Sequence, residues 1–218
     1  MGQILLQHTM KLINVMGASV DGRIASSPQE SDEDRARYGF TNPADRRHLD
    51  ALLREADAVI VGGHSVNVSG GVMPMARQAG GHPTWILMTN HGFPMDAPVW
   101  RHAEVPKWLA SETELPEGMR GDASNVIVRP NGLAEGITEA CRRAGFERVL
   151  LFGGGRVNRL FYEAGLVDEL VLTLCPVIVG RSTGVPIVAP ELDAPVRLTL
   201  QGTRSEADMV FIHYLVER

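Results

Sequence analysis

Three successive glycines follow an apolar run and precede a helical pattern. The run is Val149–Phe152, the glycines are Gly153, Gly154 and Gly155, and Asn158 stands where a G-x-G-x-x-G fingerprint has its third glycine. A buried strand that ends in glycines and opens a helix leaves backbone N–H groups free for phosphate oxygens. Because three glycines cost conformational entropy and add no packing, the pattern favours a phosphate site over an unliganded turn.

A second apolar run, Ala58–Val61, also ends in glycines and is followed by His64 and Ser65. The carboxyl ends of parallel strands meet at one edge of a sheet, and ligands of open α/β sheets bind at that edge. Taken alone, this pattern fits a structural turn equally well.

The first apolar run, Lys11–Gly17, is followed by Ser19 and Asp21-Gly22. Asp-Gly is a common turn dipeptide. The alternative is that Ser19 or Asp21 faces a hydroxylated ligand at the same sheet edge.

Other chemistries have weaker signals. His64, His82, His91 and His102 lie in loop-like segments without metal-ligand spacing, so no metal is predicted. No G-x-S-x-G elbow occurs, and neither cysteine has a histidine nearby in sequence. The two cysteines are predicted to be small core residues.

The elements that would position these residues alternate between strands and helices. Most strand-length runs are continuously apolar, which is typical of strands covered on both faces. They are Lys11–Gly17, Ala58–Val61, Thr84–Thr89, Asn125–Val128, Arg148–Phe152, Glu169–Leu174, Val196–Leu200 and Met209–Val216. Helical stripes begin at Asn42-Pro43, run over 133–144 before Gly145, and run over 157–164 before Gly165. The segment 64–83 shows no clean period and is expected to be a binding loop or lid. The loop 24–41 is strongly charged and is expected to be solvated or mobile.

This order predicts one α/β domain with a mostly parallel central sheet flanked by helices and antiparallel C-terminal strands. Residues 1–10 are expected to be an N-terminal extension and 11–218 the domain. The 218 residues, 44% hydrophobic with a net charge of −5, disfavour both disorder and an extended nucleic-acid surface. No apolar run approaches the roughly 18–20 residues that span a bilayer. Two cysteines and no secretory signal predict a cytoplasmic protein.

An ordered set of motifs resembles a known family. The motifs are S-x-D-G-R-I-A from Ser19, D-A-V-I-V-G from Asp57, L-F-G-G-G from Leu151, A-G-L-V-D-E-L from Ala164 and P-V-I-V-G from Pro176. This order is similar to the C-terminal reductase domain of the bifunctional riboflavin-biosynthesis deaminase/reductase and its stand-alone forms. That family shares the dihydrofolate reductase-like fold. The deaminase motif H-x-E…P-C-x-x-C is absent from this sequence.

The resemblance implies a cytoplasmic homodimer that uses NADPH to reduce C1′ of a phosphoribosylamino-pyrimidine, either the 5-aminouracil or the diaminopyrimidine form. It also implies the site. Cofactor contacts would come from Gly62, Ser65, Thr89, Asn90, Gly153, Gly154, Gly155, Arg156 and Val157. Substrate contacts would come from Asn14, Ser19, Asp21, Arg77 and Phe152, and Asp21 is the one matched acid for a catalytic role.

Two departures from the family pattern concern the substrate side. Phe152 stands where an acidic residue usually precedes the glycines, and the segment Ser65–Gly71 lacks the two aspartates of the family's loop. Two further hypotheses follow: a same-fold NADPH reductase with a different, less polar substrate, and a nucleotide-binding module without catalysis. A sugar-phosphate binder without redox function is the remaining alternative.

Overall fold

The computed structural model of the protein describes residues 10–217, and the predicted extension 1–10 lies outside them except for Met10. The strands are β1 (Lys11–Ser19), β2 (Arg23–Ala25), β3 (Ala58–Gly62), β4 (Thr84–Met88), β5 (Lys107–Ser111), β6 (Asn125–Val128), β7 (Arg148–Gly153), β8 (Glu169–Cys175), β9 (Val185–Pro186), β10 (Leu198–Glu206) and β11 (Met209–Val216). The helices are α1 (Asp32–Arg37), α2 (Pro43–Glu55), α3 (Gly63–Ser69), α4 (Leu133–Arg143) and α5 (Gly155–Glu163).

Nine strands form one sheet in the order β10-β11-β8-β1-β7-β3-β4-β5-β6, and β2 pairs with β9 separately. Every neighbouring pair from β8 to β6 is parallel. Strand β11 pairs antiparallel with β8, and β10 pairs antiparallel with β11. The predicted α/β class, with a mostly parallel sheet and antiparallel C-terminal strands, is confirmed.

Both faces of the central parallel strands are covered, which explains their continuous apolar runs. Helix α2 packs Leu52 and Leu53 against one face, while α4 and α5 pack Ile137 and Phe161 against the other. The predicted start of α2 is confirmed, since the Asn42 side chain accepts hydrogen bonds from the first turn of the helix. None of the described helices is long and apolar enough to cross a membrane.

The structure differs from the prediction at β5, which the sequence pattern did not reveal. This strand begins at Lys107, a residue that ordinarily argues against a buried strand. The Lys107 ammonium donates hydrogen bonds to the backbone carbonyls of His102 and Val105, so its charge has partners inside the protein. Burial lowers the pKa of Lys107.

Three further differences concern the segments around the predicted elements. The C-terminal hairpin begins at Leu198 instead of Val196 and turns at Ala207 and Asp208, both at positive φ. Leu160 is exposed although its spacing placed it on the apolar stripe of α5. The two loops predicted to be irregular hold short elements: β2 and α1 in the first, and α3 at the start of the second.

Candidate active site

The sheet order places five carboxyl strand ends side by side. Strands β1, β7, β3, β4 and β5 are consecutive neighbours and run in the same direction. They end at Ser19, Gly153, Gly62, Met88 and Ser111. The sequence motifs that follow these strands therefore line one continuous edge, the place where ligands of open α/β sheets bind.

Gly153 is required by the protein's own packing. Its φ is +69°, and a Cβ added there would lie 2.6 Å from Asn158 Oδ1. The register between β3 and β7 also shifts here, since Ile60 pairs with Leu151 and Val61 with Gly153. Only glycine fits this bulged, left-handed position.

Gly154 is different, because its packing does not require glycine. A Cβ on Gly154 would make only ordinary contacts, 3.8 Å from Ser65 Oγ and 3.9 Å from Ile24 Cδ1. The peptide bond between Gly153 and Gly154 is cis. A Cβ on Gly155, in contrast, would lie 2.8 Å from the Pro186 carbonyl oxygen. Gly154 is thus the glycine that leaves space at the sheet edge.

The first turn of α5 lies directly behind this space. The backbone N–H groups of a helix's first turn have no acceptor within the helix, and the helix dipole adds partial positive charge there. Arg156 is exposed in this turn and has no ion-pair partner within the described residues. Val157 packs against the end of β3, since a Cβ on Gly62 would lie 3.2 Å from Val157 Cγ2. This arrangement suits an anionic group.

The predicted residues at the ends of β3 and β4 lie next to each other. A Cβ on Gly63 would lie 3.1 Å from the Thr89 Cβ. Ser65 Oγ has no hydrogen-bond partner among residues 10–217, so it is free for a ligand. Thr89 Oγ1 instead accepts hydrogen bonds from the N–H groups of His91 and Gly92.

The structure places Asn14 in the interior instead of facing a ligand. Its side chain is completely buried, and its amide donates to the Leu151 carbonyl at 2.9 Å and to Asn158 Oδ1 at 3.0 Å. Its oxygen accepts a hydrogen bond from the Tyr162 hydroxyl. Asn158 in turn donates to the Ile187 carbonyl at 2.7 Å. Asn14 therefore joins β1, β7 and α5, and a direct substrate contact is not compatible with this burial.

Asp21 is held by the protein itself. Its carboxylate accepts hydrogen bonds from Ser19 Oγ at 2.7 Å and from the N–H groups of Val179 and Gly180, each at 2.9 Å. The Ser19 and backbone hydrogen bonds lower the pKa of Asp21 from 3.8 to about 2. Ser19 Oγ also accepts from the Arg23 N–H. A carboxyl group with a lowered pKa is a poor proton donor, and the structure gives Asp21 the role of an anchor for the 176–184 loop.

The structure does not bring Arg77 to the carboxyl edge of the sheet with the other predicted site residues. Its guanidinium pairs with Asp57, which precedes β3 and accepts the N–H groups of Glu147 and Arg148 at the start of β7. This cluster lies at the amino edge of the sheet, opposite the glycines. Because β3 and β4 are parallel, the chain between them must return to the amino edge before β4 begins at Thr84, and Arg77 lies on this return.

Phe152 is half-buried on the face covered by α2. Its ring meets Trp85 edge-on at a centroid distance of 5.9 Å. The position beside the glycines therefore presents an apolar surface and no carboxylate.

Two residues at the edge were missed by the sequence reasoning. In the sequence, Asn158 was noted only because it replaces the third glycine of the G-x-G-x-x-G fingerprint. In the structure its side chain occupies the space beside Gly153. Glu112 follows β5 and donates its N–H to Asn90 Oδ1 at 2.9 Å, while its carboxylate accepts from Asn90 Nδ2 at 3.1 Å. If β5 had been recognised as a strand in the sequence, Glu112 would have been placed at the carboxyl edge, because it directly follows that strand.

The fold and the glycine-rich edge define an α/β domain of the dihydrofolate reductase-like class. The fold is shared with dihydrofolate reductase from Enterococcus faecalis in complex with NADP(H), at a TM-score of 0.57 and 14% identity over 97% of this chain and 98% of the other. The model of the RibD C-terminal domain matches residues 10–211, and the chain belongs to this family. The resemblance stated from the sequence motifs is confirmed.

Similar proteins have related descriptions. The chain is 24% identical to the 2,5-diamino-6-ribosylamino-4(3H)-pyrimidinone 5′-phosphate reductase of Methanothermobacter thermautotrophicus, over 91% of this chain and 94% of the relative. A pyrimidine reductase-like protein from Corynebacterium diphtheriae has a similar structure, with a TM-score of 0.72 and 19% identity over 96% and 92% of the two chains.

The anchoring role of Asp21 predicts a specific acid sensitivity. Because the pKa is lower in the folded protein, the stabilisation is complete above about pH 3.8 and is lost as pH falls through about 2. We expect the wild-type protein to lose more stability than Asp21→Asn between these pH values, as measured by thermal unfolding. Asp193→Asn, an exposed aspartate away from this edge, is the matched control. Equal acid sensitivity of wild type and Asp21→Asn would contradict the anchor.

Proposed function

We propose that the protein is an NADPH-dependent reductase of riboflavin-biosynthesis type. Its substrate would be a 5-amino-6-(5-phosphoribosylamino)uracil-like or diaminopyrimidine-like ribosylamine phosphate, reduced at C1′ to a ribityl chain. The observation that carries the proposal is the space at Gly154 in front of the first turn of α5, in a chain of the RibD C-terminal domain family.

The residues at this edge fit a dinucleotide. The first-turn N–H groups of α5, the free Arg156 guanidinium and Ser65 Oγ would hold the diphosphate, with Gly154 allowing its close approach. Asn90 would lie near the adenosine ribose. A bound reduced nicotinamide supplies the hydride that C1′ accepts.

The rest of the chemistry depends on positioning and on a proton. Hydride transfer to an open-chain imine requires the acceptor carbon near the nicotinamide and water kept away from it. Phe152 offers an apolar wall for that purpose on the α2 face. Because the Asp21 carboxylate stays ionised and hydrogen-bonded, solvent water is the proposed proton source for the product amine.

The test of the reaction is turnover of the pathway substrate. We expect the purified protein to oxidise NADPH in the presence of the diaminopyrimidine ribosylamine phosphate and to give a product two hydrogens heavier, seen by mass spectrometry. Cofactor binding without turnover on any imine or carbonyl substrate would favour the non-catalytic module and contradict the reductase.

Phe152 favours a second candidate, a reductase of the same fold with a less polar substrate. This candidate predicts turnover of other carbonyl or imine compounds but not of the ribosylamine phosphate. Phe152→Glu separates the two cases. If the variant gains activity on the ribosylamine phosphate, the natural protein is a diverged form of the first candidate; no gain favours the second.

The role of Gly154 predicts that Gly154→Ala weakens cofactor binding without unfolding the protein. A methyl group would meet only ordinary contacts in the free protein but would displace a phosphate from its N–H donors. The loss of such a hydrogen bond costs about 1.5–3 kcal/mol, roughly a ten- to hundredfold increase in Kd. Nicotinamide fluorescence titration measures Kd, and thermal unfolding checks the fold.

Gly202→Ala is the matched control for this substitution. Gly202 lies in β10, and a Cβ there would meet nothing within 4 Å. An unchanged Kd for Gly154→Ala, or an equal change for both variants, would contradict a diphosphate at Gly154.

We also propose that the protein forms a homodimer through the edge of the sheet. All nine residues of β10 are exposed, including Leu200, which is 55% exposed. A long, exposed edge strand with unpaired backbone groups is a template for pairing with another chain. We expect light scattering to give twice the mass of one chain, and Leu200→Lys to give a folded monomer. A monomeric wild-type protein at micromolar concentration would contradict this assembly.

A further inference from the structure

The space at Gly154 has different surroundings on its two sides. Toward β1 it is bounded by the Ile24 side chain, and the adjacent Gly155 is packed against the Pro186 carbonyl and Ala189. Toward β4 and β5 the strand ends carry exposed residues, Asn90 and Glu112. Neighbouring strands are about 5 Å apart, so the end of β5 lies roughly 10 Å from that of β3. In the proposed complex, the adenosine of a dinucleotide whose diphosphate lies at Gly154 would extend over Asn90 and Glu112.

Glu112 is fixed beside Asn90 by hydrogen bonds in both directions. Its carboxylate accepts from Asn90 Nδ2 at 3.1 Å, and its N–H donates to Asn90 Oδ1 at 2.9 Å. Ser111 Oγ also donates to Asn90 Oδ1, at 3.2 Å. These bonds hold a full negative charge at the end of β5.

No cation within residues 10–217 neutralises this charge at ion-pair distance. The two arginines that follow in sequence are engaged elsewhere: Arg120 pairs with Glu114, and Arg129 pairs with Glu139. His91, next to Asn90, is exposed and makes no ion pair within the described chain.

A carboxylate and a cation have opposite effects at an adenosine ribose. A carboxylate accepts hydrogen bonds from the two hydroxyls of NADH, whereas the 2′-phosphate of NADPH requires a positive partner. We propose that Glu112 reduces the preference of the protein for NADPH over NADH. Its charge would repel the 2′-phosphate, so that NADPH binds less tightly relative to NADH than it would without this carboxylate. This inference rests on the proposed function, because it requires a dinucleotide along the carboxyl edge.

The experiment is a set of fluorescence titrations of the purified protein with NADPH and with NADH. The quantity compared is the ratio of the two Kd values, NADPH over NADH, at low and at high salt. Glu112→Gln removes the charge but keeps an oxygen for Asn90, and Glu112→Lys reverses the charge. Glu117→Gln is the matched control, an exposed glutamate five residues further on.

We expect Glu112→Gln to lower the ratio about three- to tenfold at low salt, the size of one exposed charge interaction near 4 Å. Glu112→Lys should lower it further, Glu117→Gln should leave it unchanged, and salt should reduce the differences. If both cofactors bind but neither Glu112 variant changes the ratio, the inference is wrong and the proposed function stands. If neither cofactor binds the wild-type protein, both are wrong.

Discussion

The hydrogen bond between two buried amides, Asn14 and Asn158, holds the functional edge of this protein together. It joins the middle of β1 to the first turn of α5, and its partners extend to the carbonyls of Leu151 on β7 and Ile187 beyond β9. Buried amides stabilise a structure only when their donors and acceptors are satisfied. This network therefore fixes the orientation of α5 relative to the strand ends, and the left-handed turn at Gly153 fits around it.

The three glycines after β7 divide into two kinds. Gly153 and Gly155 are small because Asn158 and Pro186 occupy the space that a Cβ would need, whereas Gly154 has free space before it. A phosphate site in this arrangement needs no basic cluster, since a helix N-terminus and one free arginine provide the positive potential. This explains how a chain with a net charge of −5 could bind an anionic cofactor.

The charged side chains that the sequence predicted for the site have separate structural roles. Asp21 is committed to the backbone of the 176–184 loop, and Arg77 to Asp57 at the opposite edge. Phe152 leaves the position beside the glycines without charge. If the protein is a reductase, its contribution to catalysis lies in positioning and in the exclusion of water, while the charge at Glu112 bears on the choice of cofactor.

The sequence alone determined the parts that depend on local chemistry. Continuous apolar runs identified the parallel strands other than β5, the cap at Asn42 identified α2, and the glycines identified the ends of β3 and β7 at the edge. The ordered motifs also identified the family. These features depend on backbone geometry and strand burial, and both are determined by residues that are close together in sequence.

Only the tertiary structure decided which side chains face the edge. Asn14 and Asp21 have the residue types of a binding site, but burial and hydrogen bonds from distant segments assign both to the scaffold. Arg77 lies at the wrong edge because a loop crosses the molecule. Glu112 was hidden because β5 starts with a lysine whose charge is satisfied by carbonyls of the preceding loop. The role of a polar side chain depends on partners far away in sequence, and the folded chain alone brings them together.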